Sequence, residues 1–419
     1  MDDSESTPLK LVFYRPHAEF WFKSTVRSIL RNNRLPNKYV ALFDHALNSD
    51  MQIYLMPKLA HSGDLKEIFK SIFDLIELFA WCILNNISLR KVSLIFGKRG
   101  LSGKAVFFIM HYGNFTHESK STAQCGVQLS QDLADVPIYK VVHMTHYAYN
   151  PIIGYNNLKV FTPDLLVAEN NLSNNSLFFR EFFGKLESNF HLLSYIPAHR
   201  FNNRMPFEDR TNKLVVTGSI TYKMKDDEFI RFYKQNELQP LRRELYENSK
   251  KYRLEMECLL YDLDAVRVNT PVSSGNGIMK RIFRLLKGSP VQNAYYKTDI
   301  VATYNKHMMF AVPEEICDLP AIGFVEGMAC GCAYFGLDHP MYRDIGLIPG
   351  VHYIVHDGTV PDLMAKVRYY QNNIDELKII AKSGNEFVTN KLTQASVYST
   401  FFALLKTKLT DKQNSIRQS

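Results

Sequence analysis

Pro313-Glu314-Glu315-Ile316-Cys317-Asp318-Leu319-Pro320-Ala321-Ile322-Gly323-Phe324-Val325-Glu326-Gly327-Met328-Ala329-Cys330-Gly331-Cys332-Ala333 reads as an acidic loop, a short helix and the start of a strand. The loop passes through Pro320 and Gly323 into a helix with one carboxylate, Glu326. Small residues, Gly327 and Ala329, let that helix lie close against a sheet. Gly331 stands where a helix end favours a left-handed residue, and Ala333-Tyr334-Phe335-Gly336 continues as a strand. In an open α/β sheet such a unit sets the helix N-terminus, near Gly323, at the carboxyl edge of the strands. Backbone N–H groups and the helix dipole bind phosphate there.

Outward from this unit, residues 11–14, 39–43, 51–55, 92–96 and 105–110 read as strands, with helices over 18–32 and 65–85. Strands alternating with helical patterns predict an open, doubly wound sheet. His111-Tyr-Gly-Asn-Phe-Thr-His-Glu118 is a polar loop at a strand's carboxyl end, and residues 139–147 carry His143 and His146. Residues 213–220 form a strong strand, and Lys223-Met-Lys225-Asp-Asp-Glu228 is a charge run that by itself reads as a solvated face. A charged helical region over 228–251 and a strand over 256–261 follow. The basic amphipathic helix over 278–287 (Lys280, Arg281, Arg284, Lys287) suits a domain surface or acidic lipid head groups. Residues 294–302 read as the strand before the acidic loop. Beyond it come a strand at 353–355, helices over 360–371 and 374–389, and a last helix at 395–409. The polar tail from Thr410 is expected to be disordered.

A chain of 419 residues suggests two domains. Its net charge of +8 suits an anionic substrate or membrane surface but is too diffuse for nucleic acid. The six cysteines include no Cys-x-x-Cys pair, and Cys330-x-Cys332 beside Gly331 reads as packing rather than a metal site. The acidic, polar opening Met1-Asp2-Asp3 does not read as a signal peptide, so none is expected. Residues 68–84 are interrupted by Lys70, Asp74 and Glu77, so they form an amphipathic helix rather than a span. The expected location is cytoplasmic, with peripheral contact at the anionic inner face of the membrane.

Glu326-Gly-Met-Ala-Cys-Gly331, with Asp318 eight residues before the glutamate, resembles the donor-site signature of retaining glycosyltransferases of the GT-B fold. The resemblance implies an α/β chain of two Rossmann-like domains facing across a cleft. Residues 1–200 would be the acceptor-side domain and 201–394 the donor domain, entered by Ile196-Pro197 and a polar linker around 200–212. Residues 395–409 would be a helix crossing back, and 410–419 a disordered tail. In that family the second acidic residue, here Glu326, holds the nucleotide ribose, and the first, Asp318, lies against the donor sugar. A histidine facing that sugar corresponds to His146, with His143 the alternative.

The family's arginine and lysine that clamp the diphosphate fall on Ser219 and Lys225. The lysine is present and the arginine is not, which leaves Arg204, Arg210 or Lys223 as substitutes. Asp318-Leu-Pro-Ala321 stands where the family has Glu-Gly-Phe-Gly, and Pro320 donates no N–H. The activity implied is transfer from a nucleoside-diphosphate sugar to a glycan or lipid-linked acceptor, in cell-surface polysaccharide or glycolipid synthesis. No cofactor and no metal are expected, and Asp262-Leu263-Asp264 reads as a turn. A non-catalytic binding or scaffold protein of the same fold, a phosphorylase and an epimerase are the alternatives.

Overall fold

A computed structural model describes residues 9–14, 40–56, 76, 79, 82–83, 87–88, 90–95, 101, 105–116, 133, 136–220, 223–262 and 298–418. The expected helices over 18–32 and 278–287, most of that over 65–85, and Asp264 lie outside these residues. No helix among the described residues is long and apolar enough to cross a membrane. Contacts divide the chain into two compact units.

The first unit takes Met1–Ala168, Leu177–Leu193 and Tyr398–Ser419. Its strands are β1 (Lys10–Tyr14), β2 (Gln52–Met56), β3 (Val92–Leu94), β4 (Ala105–Ile109), β5 (Ile138–His143), β6 (Leu165–Ala168) and β7 (Asn189–Leu192). They form one parallel sheet in the order β3-β2-β1-β4-β5-β6-β7. Every residue of β4, Ala-Val-Phe-Phe-Ile, is buried, as a strand covered on both faces requires. The order reverses between β1 and β4, and open parallel sheets take ligands outside the carboxyl ends of the strands at such a point. Helices α1 (Val40–Leu47), α2 (Pro151–Phe161) and α3 (Leu177–Phe183) belong to this unit. Residues 40–43, expected as part of a strand, begin α1: a short apolar run has no period of its own, and packing decides it. The high aromatic content fills the layer beside the sheet, where Tyr147 meets Phe178, Phe179 and Phe183 at 5.6–6.0 Å.

The second unit takes Glu169–Ser176 and Ser194–Val397. Its strands are β8 (Thr211–Ile220), β9 (Met256–Asp262), β10 (His307–Ala311), β11 (Ala333–Leu337) and β12 (Ile354–His356), parallel in the order β12-β11-β10-β8-β9. The reversal here lies between β8 and β10. The helices are α4 (Asp227–Tyr233), α5 (Pro240–Glu247), α6 (Ile300–Lys306), α7 (Gly323–Ala329), α8 (Val360–Asn372) and α9 (Ile374–Lys391). Leu214, Val216, Met309, Phe335, Leu363, Val367 and Leu377 form part of the core between sheet and helices.

The strand expected at 294–302 is displaced: residues 300–306 are α6, and the fully buried strand is β10. Asp299 starts the helix, its carboxylate accepting from the Ala302 N–H at 3.1 Å. Residues 200–212 are packed into the second unit rather than hanging free. Arg204 N–H donates to Asn305 Oδ1 at 2.6 Å, and the buried Arg210 donates to the carbonyl of Cys330 at 2.9 Å.

The last helix, α10 (Thr400–Gln418), belongs to the first unit. Phe401 packs on Phe108 and His191 at 6.0 and 5.5 Å, and Lys412 Nζ bonds both oxygens of Asp164 at 2.7 Å. The residues from Thr410, expected as a disordered tail, continue this helix, because Leu409 is buried and Lys412 is anchored.

Candidate functional site

In the second unit the acidic loop and α7 leave the carboxyl end of β10. Gly327 lets α7 approach the sheet: a Cβ there would stand 2.3 Å from the Phe310 ring. Gly323 is also a close-packing position, where a Cβ would meet Val312 Cγ2 at 2.8 Å and Tyr304 Oη at 3.0 Å. Gly331 has φ +79°, the left-handed turn read from the sequence.

Glu326 occupies the first turn of α7. It is packed by protein on most sides and keeps a strip of solvent exposure. No described residue donates a hydrogen bond to its carboxylate. Burial pushes its pKa up to about 7, with Arg200 pulling the other way. Asp318 sits at φ +63°, one of five non-glycine residues with positive φ among those described. Such backbone costs about 1–3 kcal/mol and persists where the surroundings impose it. Its carbonyl accepts from Asn170 Nδ2 at 2.7 Å, and its carboxylate lies 3.2 Å from His339 Nε2. The buried Tyr233 phenol is held well above its ordinary pKa, first by burial, then by Cys317 and Asp318.

Ser219 ends β8 with its carbonyl accepting from Arg242 Nη1 at 3.1 Å. Lys223 forms an isolated antiparallel bridge with Glu237 and an exposed ion pair with it at 3.6 Å. Lys225 is exposed, with no hydrogen bond or ion pair to the described residues. Met224 between them is buried, its N–H donating to Asn236 O at 2.7 Å, so both lysines flank an anchored point. Ile316 N–H donates to Leu238 O at 2.9 Å, tying the acidic loop to the segment that leads into α5. The structure thus brings Ser219, Lys223 and Asp318 into one bonded framework at the carboxyl edge of β8 and β10.

The expected substitutes for the missing arginine fare differently. Arg210 lies at the amino end of β8, the wrong edge for the ligand, with bonds from all three guanidinium nitrogens. Arg204 is exposed and held by Asn202 Oδ1 and the Arg200 carbonyl. Sequence reasoning missed Arg242, His339 and Asn170. Arg242 shares the buried stripe of α5 with Leu245, and a lone charge on an apolar stripe was the only available signal. Asp262 ends β9 and pairs with Arg243.

In the first unit His146 follows β5 at φ +54°, half-buried, with its ring 5.9 Å from that of His111 after β4. His111 Nδ1 accepts from Gly113 N–H at 2.8 Å, so the neutral ring carries its proton on Nε2. His143 is fully buried, and its Nδ1 accepts from Thr145 N–H at 3.2 Å. His146 is therefore the more accessible of the two candidates.

Residues 328–417 match the family model described as Glycosyl transferase family 90. The match begins inside α7 and leaves Asp318 and Glu326 outside it. No curated protein matches the sequence. Among solved structures the chain is similar to HepE of Anabaena in complex with UDP. The identity is 10% and the TM-score 0.52, over 96% of this chain and 100% of that one. It is also similar to the sucrose-phosphate synthase of Thermosynechococcus elongatus, with 9% identity and a TM-score of 0.53 over 96% and 99% of the two chains. At these identities the likeness shows the fold: α/β, with two Rossmann-like domains of the GT-B class.

Proposed function

We propose that this protein transfers a glycosyl group from a nucleoside-diphosphate sugar to a hydroxyl of a glycan or lipid-linked acceptor. The anomeric configuration is retained, and the product belongs to a cell-surface polysaccharide or glycolipid. Glu326 carries the reading. Its half-buried carboxylate feels the charge of Arg200 but accepts no hydrogen bond from a described residue, which leaves its oxygens open to donors from a ligand. Two ribose hydroxyls would supply the missing donors. The family match from Met328 onward and the fold support the same reading.

In the reaction the bond from the anomeric carbon to the diphosphate oxygen breaks and the acceptor oxygen bonds that carbon on the same face. The acceptor proton passes to the departing phosphate, so the nucleoside diphosphate leaves with it and no carboxylate base is required. Asp318, fixed by backbone strain and by His339, contacts the donor sugar. By the family resemblance, His146 of the first unit is the donor sugar's second polar partner. Lys225 offers a flexible charge to the diphosphate. Gly323 and Ser219 shape the backbone around it, and Lys223 adds to the local positive charge.

A panel of nucleotide-sugars tested for thermal stabilisation checks the reading, because a ligand bound only by the native state raises the melting temperature. At a hundred times the dissociation constant the gain is about 2.7 kcal/mol. No stabilisation by any member of the panel, and no release of nucleoside diphosphate with acceptor extracts, would leave a non-catalytic protein of this fold. Turnover is expected to persist in excess chelator, since Asp262, the described member of the chain's Asp-x-Asp, pairs with Arg243. Loss of activity in chelator, restored by magnesium or manganese, would overturn that expectation.

A further inference from the structure

We propose that Arg242 is the principal anion-binding group of the second unit, taking the diphosphate of the donor. This rests on the reading above and names the group that holds the donor's charge. Arg242 is 5% exposed, and its guanidinium spans the point where the strand order reverses. Nε donates to Pro313 O, just past β10, at 2.7 Å, and Nη1 donates to Ser219 O, at the end of β8, at 3.1 Å. Open parallel sheets bind ligands outside the carboxyl ends of their strands at such a reversal.

No carboxylate among the described residues pairs with Arg242, and its Nη2 makes no hydrogen bond to any of them. Two carbonyls orient the cation without neutralising it, and a buried charge left so is costly. Gly218 keeps the place open: it has φ +134°, and a Cβ there would lie 3.0 Å from Nη1. A phosphate oxygen meeting Nη2 supplies the absent counter-charge, and the planar fork suits phosphate better than an ammonium does. The arginine missing at position 219 is thus replaced from a helix rather than from the strand's own loop.

Calorimetry with inorganic pyrophosphate and with UDP, GDP and ADP, on wild type, Arg242→Gln and Arg242→Lys, tests this. Melting curves first show that each variant is folded. Arg242→Gln is expected to bind pyrophosphate and the preferred nucleotide roughly ten- to a hundred-fold more weakly, and Arg242→Lys to fall between it and wild type. A folded Arg242→Gln that binds both as tightly as wild type overturns the proposal and leaves the glycosyl-transfer reading standing. Wild type that binds pyrophosphate through Arg242 but stabilises with no nucleotide-sugar keeps the anion site and removes that reading. Wild type that binds neither pyrophosphate nor any nucleotide overturns both. If the glutamine variant does not fold, a crystal structure of the unaltered protein with pyrophosphate decides. The ion within hydrogen-bond distance of Nη2 supports the assignment, and an ion bound elsewhere refutes it.

Discussion

Glu326→Gln is expected to weaken donor binding roughly ten- to a hundred-fold and, at pH 8, to raise the melting temperature. Both effects come from the same carboxylate. Ribose hydroxyls donating to a charged acceptor contribute about 1.5–3 kcal/mol each, and the amide keeps one acceptor oxygen of two. The stability effect has the opposite sign. The folded pKa is raised from 4.5 to about 7, chiefly by burial, so the native state holds the proton more tightly than the unfolded chain. This group's favourable contribution is therefore fully present below about pH 4.5 and lost as pH rises through about 7. The neutral amide escapes that loss.

Wild type and variant should melt together at pH 4.5, with the variant ahead at pH 8 by roughly 1–3 kcal/mol after allowance for solvent screening. Donor affinity of the wild type should in turn climb about tenfold between pH 6 and pH 8, as the carboxylate ionises, and stay flat in the variant. Titrations of both proteins at three pH values, beside their melting curves, give all four quantities. Unchanged affinity with lowered stability would make Glu326 a structural group and remove it from the donor site.

Arg210→Met is expected to cost the second unit on the order of 3–5 kcal/mol. Arg210 is 5% exposed and donates to Asn203 Oδ1 at 2.6 Å, to Met205 O at 2.9 Å and to Cys330 O at 2.9 Å from Nη2 alone. Nη1 reaches His307 O at 3.5 Å. Methionine fills similar space but removes the donor to the buried carbonyls of Cys330 and His307, each a loss of about 1–3 kcal/mol before relaxation, while water can replace it at the exposed Asn203. For a unit of this size that lowers the melting temperature by roughly 6–20 °C. The change also frees the turn at Gly331, so nucleotide-sugar binding should weaken with stability rather than independently of it. Differential scanning calorimetry resolves the two units if they melt apart, and limited proteolysis of residues 200–212 reports the same tie locally. A loss below about 1 kcal/mol would show that the polar segment is held by other contacts.

Much of the architecture was legible in the residues. The strands β4, β5 and β8 announce themselves by short apolar runs beside Gly or Pro, continuous in β4 and centred on Val141-Val142 and Leu214-Val215-Val216 in the other two, because a parallel strand covered on both faces buries its middle. Helix α7 was legible because Gly327 and Gly331 leave few alternatives: one permits contact with Phe310, and the other adopts a conformation that side chains resist. Residues 40–43 and 294–302 misled for a related reason. Short apolar runs fit either element, and at the second site the capping carboxylate of Asp299 turned Ile300–Lys306 into a helix.

By itself, then, the sequence determined the alternation of strands and helices and the motif that places Asp318 and Glu326 on one loop-helix unit. Both depend on residues close together in the chain, where periodicity, caps and backbone freedom act. Only the tertiary structure decided what surrounds those carboxylates. His339 reaches Asp318 across 21 residues of sequence, and Asn170 bonds its carbonyl from 148 residues away. Arg242 becomes a buried cation at the sheet's reversal only because α5 packs over the ends of β8 and β10. Charge, burial and partner are properties of that packed position, and in the string of residues Arg242 is one more base in a charged helix.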